Sequence, residues 1–423
     1  MEDKYKKIAV EISRVLLGIV FVFSGFVKAI DPWGGAYKIQ DYFAAFELTD
    51  FNFAAMPLSF LQAAIEFGVG ACLLIGVYRR FNSIFALLIM LFMTPLTLYI
   101  AITNPVTDCG CFGDALVISN WSTFYKNIIL LIAAVFVFLW FYMMTSLFTW
   151  RRYFWSAVWI YVFIFGVSLY CYTYLPLIDF RPYKIGSNIP EKMTIPENAP
   201  TDIYDVKLLY SKDGVVKEFT DKNYPRGDST WKFVDSKTKI IKKGYEPPIH
   251  GFSITGPDGY NITDAILSNP SYTFLLIANK LEKASDWNVE KINDIYDFSI
   301  KNELDFYALT SSLDEEKQKW IQNTGAEYSF CSVDDITLKT IIRSNPGLML
   351  LKEGTVIKKW PNTRLPDEEK LNKLIEETNL GKVPVVNHSS NLLLLTLILL
   401  IPLAGLFLYD FSFRKKYDKV IKK

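Results

Sequence analysis

Six stretches of the chain, near 8–30, 56–78, 81–103, 122–146, 153–175 and 391–409, run mostly apolar. Each has the roughly 20 residues a helix needs to cross a bilayer core. A soluble helix of that length carries a charged face, so the fold class this predicts is an α-helical transmembrane bundle with a soluble domain attached. The first stretch is expected to be a span rather than a signal peptide, because no small-x-small cleavage site follows and its apolar run is long for one. The 423 residues exceed what one core usually holds. Apolar residues dominate the first 175 positions and return near the end, while 180–388 mix charged and apolar residues as soluble domains do. The net charge of +1 averages over these unlike parts and shows no clustered basic face, which argues against nucleic acid as a partner.

Basic residues set the expected orientation. Lys4, Lys6 and Lys7 precede the first stretch, Arg79 and Arg80 join the second to the third, Arg151 and Arg152 join the fourth to the fifth, and Arg414, Lys415, Lys416, Lys422 and Lys423 end the chain. All fall on one side, so both termini are expected in the cytoplasm, with 31–55, 104–121 and 176–390 outside. Pro32 and Gly34-Gly35 should stop the first helix at the outer surface, with Lys28 snorkelling to the interface. Glu11 and Arg14 lie three residues apart on one helical face, as an anchoring ion pair would. Glu66 stands alone in the middle of its span, where an unpaired charge is costly, so a functional reading weighs evenly against a bland one.

Chemistry concentrates in the outer loop Asn104-Pro105-Val106-Thr107-Asp108-Cys109-Gly110-Cys111-Phe112-Gly113-Asp114. Gly110 permits the sharp turn that brings Cys109 and Cys111 within bridging distance, and a bridge in so tight a ring is strained and exchangeable. Asp108 and Asp114 could relay protons, although carboxylates beside a thiol raise its pKa. An exchangeable dithiol is the first reading and a permanent staple the second. A metal held by both thiols and both carboxylates comes last, because Cys-x-Cys is poor zinc spacing. Cys171, one turn from the outer end of the fifth span, is a possible third thiol, with apolar packing the commoner role for such a cysteine. Cys72 reads as packing. Transport through the bundle would rest on Glu66 alone, without broken helices or repeats.

Phe23-Ser24-Gly25-Phe26-Val27-Lys28, Asp31-Pro32, the Glu66 helix ending in Leu74-Ile75-Gly76, the Asp108–Asp114 loop and Lys126-Asn127 resemble the DoxX and MauE group of membrane proteins over the first third of the chain. That resemblance implies a four-helix bundle linked to thiol or quinone redox chemistry. Cys109 and Cys111 would be its redox pair and a membrane quinone its electron partner, with no covalently bound cofactor.

Beyond the extended junction 175–186, residues 205–243 alternate as strands do around the turn Asp213-Gly214 and form a small antiparallel insertion. From 248 onward strands and helices alternate: a hairpin at 252–259, a buried strand at 272–278, a helix at 284–302, a strand at 305–310, a helix near 313–324, a strand near 326–330, and a last hairpin from Gly347 to Trp360. This order is similar to a thioredoxin fold of the TlpA and ResA type, with Asn345-Pro346 where that fold carries its cis-proline. The resemblance stops at the active site, since Asn279-Lys280-Leu281-Glu282-Lys283-Ala284-Ser285-Asp286 contains no cysteine. Cys331 reads as a core residue and His250 as a surface one. The domains expected are 1–150, the four-helix membrane unit; 151–186, a fifth span and connector; 187–385, the outer domain; and 386–423, a sixth span and basic tail.

The expected function is a membrane-bound thiol/disulfide redox protein, an oxidoreductase if the CxC pair turns over, in a bacterial inner membrane. The outer domain would serve as a docking module, with its groove near Pro346, for exported clients or envelope complex subunits. The alternative is a non-catalytic scaffold with a stapled loop. Motifs for phosphate cradling, Ser-His-Asp chemistry and HExxH zinc sites are absent from the sequence.

Overall fold

A computed structural model describes residues 2–106, 108–220, 223–242, 244–381 and 387–421. Thr107 of the loop and Lys422 and Lys423 of the tail lie outside the described residues. The N-terminal part is helical: α1 (Glu2–Ile30), α2 (Pro32–Ala45), α3 (Ala55–Ile75), α4 (Arg79–Thr103), α5 (Asn120–Leu139) and α6 (Tyr153–Thr173). Among the described residues, six helices are long and apolar enough to cross a membrane: all of these except α2, together with a C-terminal helix, His388–Ile421. The chain is a multi-pass membrane protein.

Helices α1 and α3 approach backbone to backbone. A Cβ on Gly25 would sit 2.3 Å from the Phe67 nitrogen, so only glycine fits there. Buried Asn127 on α5 donates to Thr97 Oγ1 on α4 at 3.1 Å, a polar tie across the bundle. The Glu11–Arg14 pair forms as expected, at 2.6 Å, and Arg14 also donates to the Thr145 carbonyl.

The first helix stops at Ile30, just ahead of Pro32, as expected, but Pro32 also opens a further helix, α2, not expected from the sequence. The Asp31 carboxylate accepts the Gly34 N–H as N-cap, and proline suits the first helical turn because its missing N–H has no partner to satisfy there.

A short helix, α7 (Ile189–Met193), leads into a three-stranded antiparallel sheet of β1 (Ile203–Lys212), β2 (Val215–Thr220) and β3 (Lys232–Lys242), ordered β2-β1-β3. The turn from β1 to β2 has positive φ at both Asp213 and Gly214, as a two-residue hairpin requires.

Next comes α8 (Thr263–Leu267), then β4 (Tyr272–Ile277), α9 (Val289–Lys301), β5 (Asp305–Thr310), α10 (Asp314–Thr324), β6 (Ser329–Ser332), α11 (Asp335–Ile341), β7 (Gly347–Lys352), β8 (Thr355–Pro361), α12 (Glu368–Asn379) and the last span, α13 (His388–Ile421). The strands form one sheet ordered β6-β5-β4-β7-β8, with β4, β5 and β6 parallel and β7 and β8 antiparallel. Every residue of β4 is buried, since both sheet faces are covered. Phe274 and Leu276 pack with α9 and α12, while Leu275 and Ile277 pack with Leu338 and Ile341 of α11. The Asn345–Pro346 bond is cis and precedes β7. This strand order is thioredoxin-like. Three expectations shift: the hairpin expected at 252–259 is a turn with one isolated bridge, Thr255 to Asn261, the helix expected at 284–302 begins at Val289, and Cys331 lies within β6 rather than after it.

Candidate functional site

The turn Cys109-Gly110-Cys111 lies between α4 and α5. Gly110 has φ +66°, and a Cβ there would come within 2.7 Å of Lys38 Cγ, so glycine is needed both for the turn and for the close approach. Both cysteines are free thiols, only 6% and 8% exposed. The Cys111 N–H donates to Cys109 Sγ at 3.4 Å.

Three helices hold this loop. From α1, Lys28 Nζ and Ser24 Oγ reach the Cys111 carbonyl at 2.9 and 2.7 Å. From α2, Tyr42 donates to the Cys109 carbonyl at 2.8 Å, and Lys38 pairs with Asp108 at 3.2 Å. From α5, Lys126 lies 4.3 Å above the Phe112 ring, and Thr123 hydrogen-bonds the Cys109 thiol.

These neighbours divide the two sulfurs. A hydrogen bond from the Cys111 side chain holds Cys109 below the ordinary thiol range, against the pull of burial, with the Cys111 N–H, Lys126 and Thr123 adding to the effect. Giving that hydrogen bond, together with burial, pushes Cys111 well above the ordinary range. Cys109 is thus the readier thiolate and Cys111 the proton-bearing partner. Both flanking carboxylates have partners. Asp108 accepts from Lys38 and the Gly110 N–H, and Asp114 pairs with Arg343 at 3.3 Å.

Lys28 does not snorkel. Its ammonium is buried and meets Glu66 Oε2 of α3 at 2.7 Å, so Glu66 has its partner inside the bundle. The other cysteines stay apart from the pair: Cys171 and Cys72 pack in an apolar cluster with Ile30, Phe67 and Ile164, and Cys331 packs in the core of the thioredoxin-like domain.

The thioredoxin-like domain sits on this face. Arg343, just past α11, grips Asp31 with two nitrogens, Nε at 2.9 Å from Oδ1 and Nη2 at 2.8 Å from Oδ2. Burial works against the Asp31 charge, but Arg343 and Arg181 hold its carboxyl below the usual range. Asp179 of the connector receives Arg181 and Lys359 at 2.8 Å each, and Lys339 lies over Tyr37 of α2. Pro346 is buried, and the preceding Asn345 carbonyl accepts the Ser285 N–H at 3.0 Å.

Between the domain and the bundle is a cavity of about 1310 Å³. Its polar wall includes Lys28, Tyr42, Glu66, Cys109 and Cys111, and its apolar arm runs between α3 and α4, past Leu61, Phe85, Leu88 and Phe92. Of the polar groups, sequence reasoning singled out Glu66 and the CxC but missed Lys38, Tyr42, Thr123 and Arg343. The i, i+3 pair Thr123/Lys126 at the start of α5 was the one available signal.

Residues 6–141 match the family described as methylamine utilisation protein MauE. The membrane unit is a MauE-type domain. Residues 204–243, the three-stranded sheet, match a domain of unknown function, DUF8463. No curated protein matches the chain significantly. Among solved structures, a putative protein disulfide isomerase from Bacteroides thetaiotaomicron is 17% identical, with 33% of this chain and 90% of that one covered and a TM-score of 0.23. A putative thioredoxin from Neisseria meningitidis is 16% identical, covering 30% and 87%, with a TM-score of 0.26. A MauE-type membrane domain is here joined to a domain with the thioredoxin-like strand order β6-β5-β4-β7-β8.

Proposed function

We propose that Cys109 and Cys111 form an exchanging dithiol, with Cys109 as attacking thiolate and Cys111 as resolving thiol, and that a membrane quinone is its electron partner. The observation that carries this reading is the asymmetric pair of unbridged thiols on the wall of a large cavity. The cavity suits an amphiphile of that class, having polar groups beside the sulfurs and an apolar arm between α3 and α4. Tyr42 and Gln62 would hold the polar head and the arm its tail; a quinone supplies a two-electron, two-proton acceptor. Asp108 and Asp114 act as anchors, tying the loop to Lys38 and Arg343, rather than as proton carriers.

In this reading the thioredoxin-like domain is a docking module for exported clients or envelope subunits. Arg343 keeps it seated over the loop, and a folded client reaches sulfurs this buried only when the domain lifts. The basic clusters argue for both termini on the cytoplasmic side and the domain outside, and the family resemblance and composition for a bacterial inner membrane. One observation favours the alternative of a non-catalytic envelope scaffold: the domain has no cysteine after β4, where a thioredoxin carries its own.

The deciding experiment titrates the purified full chain, in lipid discs, against a thiol redox series and traps thiols by alkylation. A midpoint potential well above about −300 mV, the level of structural bridges, with reoxidation by added quinone, is expected. A bridge that never opens, or thiols that never pair, overturns the oxidoreductase and leaves the scaffold.

A further inference from the structure

A charged pair stands directly beneath the dithiol. Lys28 and Glu66 are each 7% exposed, and their side chains meet at 2.7 Å. The three ammonium protons of Lys28 are all committed, to Glu66 Oε2, to Ser24 Oγ at 2.8 Å and to the Cys111 carbonyl at 2.9 Å. Ser24 lies 2.6 Å from the same carboxylate oxygen, and Gln62 donates to the other one at 3.0 Å. A buried ion pair of this kind stabilises little over an apolar pair of equal volume. An ionisable pair inside a membrane bundle therefore calls for another explanation.

Charge balance supplies one. With Cys109 as thiolate, the reduced site holds two negative groups, Cys109 and Glu66, and two positive ones, Lys28 and Lys126. Oxidation to the disulfide removes the thiolate charge and would leave an excess positive charge in a poorly solvated place, where Coulomb energies are large. Releasing a second proton restores neutrality.

Resting on the reading of Cys109–Cys111 as an exchanging dithiol, we infer that the Lys28–Glu66 pair is a proton-handling element of that site, giving up one proton when the dithiol is oxidised. The balance is explicit. The Cys109 thiolate, the Cys111 thiol, one proton from the pair and a quinone give the disulfide, the deprotonated pair and a quinol. Two electrons leave the sulfurs as the S–S bond forms, and two protons leave with them, one from Cys111 and one from the pair. Reduction of the disulfide returns both.

Other titratable groups face the same space. On the α2 and loop side, Tyr42 donates to a carbonyl and Lys38 pairs with Asp108. At the domain side, Asp31 and Asp114 share Arg343. From α6, Tyr161 lies against Gly68, and α4 contributes only apolar side chains to the cavity. The pair is thus the ionised group nearest the Cys111 backbone that no other domain restrains.

The test needs no quinone. The midpoint potential of the dithiol is measured against thiol buffers from pH 7 to 8.5 in the full chain. A tenfold change in equilibrium constant is about 30 mV for two electrons, so two protons per two electrons give a slope of about 60 mV per pH unit and one gives about 30. Wild type is expected at the steeper slope. K28Q/E66Q, which keeps a hydrogen-bonding amide pair and strands no charge, should fall to the shallower one. K28M/E66L, an apolar pair of similar volume, should fall with it and covers the case in which the amide pair fails to fold. Equal slopes in wild type and a folded double variant overturn the inference and leave a structural pair. A wild-type dithiol that shows no reversible potential overturns instead the redox reading beneath it.

Discussion

Two loops in this chain occupy places where a redox dithiol could be built, and only one contains sulfur. The loop after β4 stands where a thioredoxin places its active cysteines, yet its residues serve packing and hydrogen bonding: Leu281 is buried, Ser285 bonds the Asn345 carbonyl, and Asn345 reaches back to Lys280. The loop between α4 and α5 has no scaffold of its own. It is shaped by Ser24 and Lys28, by Lys38 and Tyr42, and by Thr123 and Lys126, with Asp114 held by Arg343 from the other domain. The contrast teaches that the thioredoxin-like strand order and the paired thiols lie in different halves of the molecule: in the proposed reading the first is the lid and the chemistry is left to the helical bundle.

The comparison breaks most directly by exchanging the roles of the cysteines. Cys109→Ser should lower disulfide exchange by roughly 1000-fold or more, since no other thiolate is placed to attack. Cys331→Ser should leave exchange within about twofold and cost roughly 1–3 kcal/mol of stability, because its hydroxyl would enter a fully buried core. Trapping of mixed disulfides and thermal unfolding measure the two effects. Loss of exchange in the Cys331 variant would put the chemistry in the wrong half of the molecule.

How far the sequence foretold this arrangement depends on the range of each interaction. Spans, the CxC turn and the strand alternation are local patterns, and all were legible. Helix α2 was not, because Pro32 and the glycines after it serve equally as terminators and as a first helical turn; the Asp31 cap decides, and a cap is seen only in three dimensions. In the sequence Lys28 looks like an interfacial lysine, because hydropathy registers a charge near a helix end but not a carboxylate on another helix. Arg343 and Asp31 are more distant still in sequence, and nothing in either segment points to the other.

The next effect sharpens what the lid does. Arg343→Ala removes the guanidinium that the Asp31 carboxylate was folded around, and stranding one member of a buried pair costs about 3–5 kcal/mol. Part of that cost should appear as lifting of the domain, with alkylation of Cys109 by a small reagent accelerating on the order of 10- to 100-fold. Arg343→Lys should fall between, since an ammonium cannot make the two-pronged contact. Unchanged alkylation in Arg343→Ala would mean that other contacts, such as Lys339 on Tyr37 and the connector, hold the domain.

The smallest effect separates the two carboxylates on that arginine. Asp31 is held below its ordinary pKa, so its stabilising charge is present at neutral pH and is lost only as pH falls through the depressed folded value, below about 3.9. Asp114 is shifted the other way: burial raises it, with Arg343 in opposition. Its ionised form is therefore a small burden at neutral pH. Its contribution to stability is fully present below about 3.9 and lost as pH rises through the raised folded value. Asp114 is also half exposed, and its contact with Arg343 is longer, 3.3 Å against 2.8 Å. Asp114→Asn should accordingly shift domain seating by less than about 1 kcal/mol in either direction, whereas Asp31→Asn should cost about 3 kcal/mol or more. Protection of Cys109 from alkylation across a mild denaturant series reports both. Equal losses would mean that Arg343 is shared evenly and that the CxC loop carries the lid as much as the corner between α1 and α2 does.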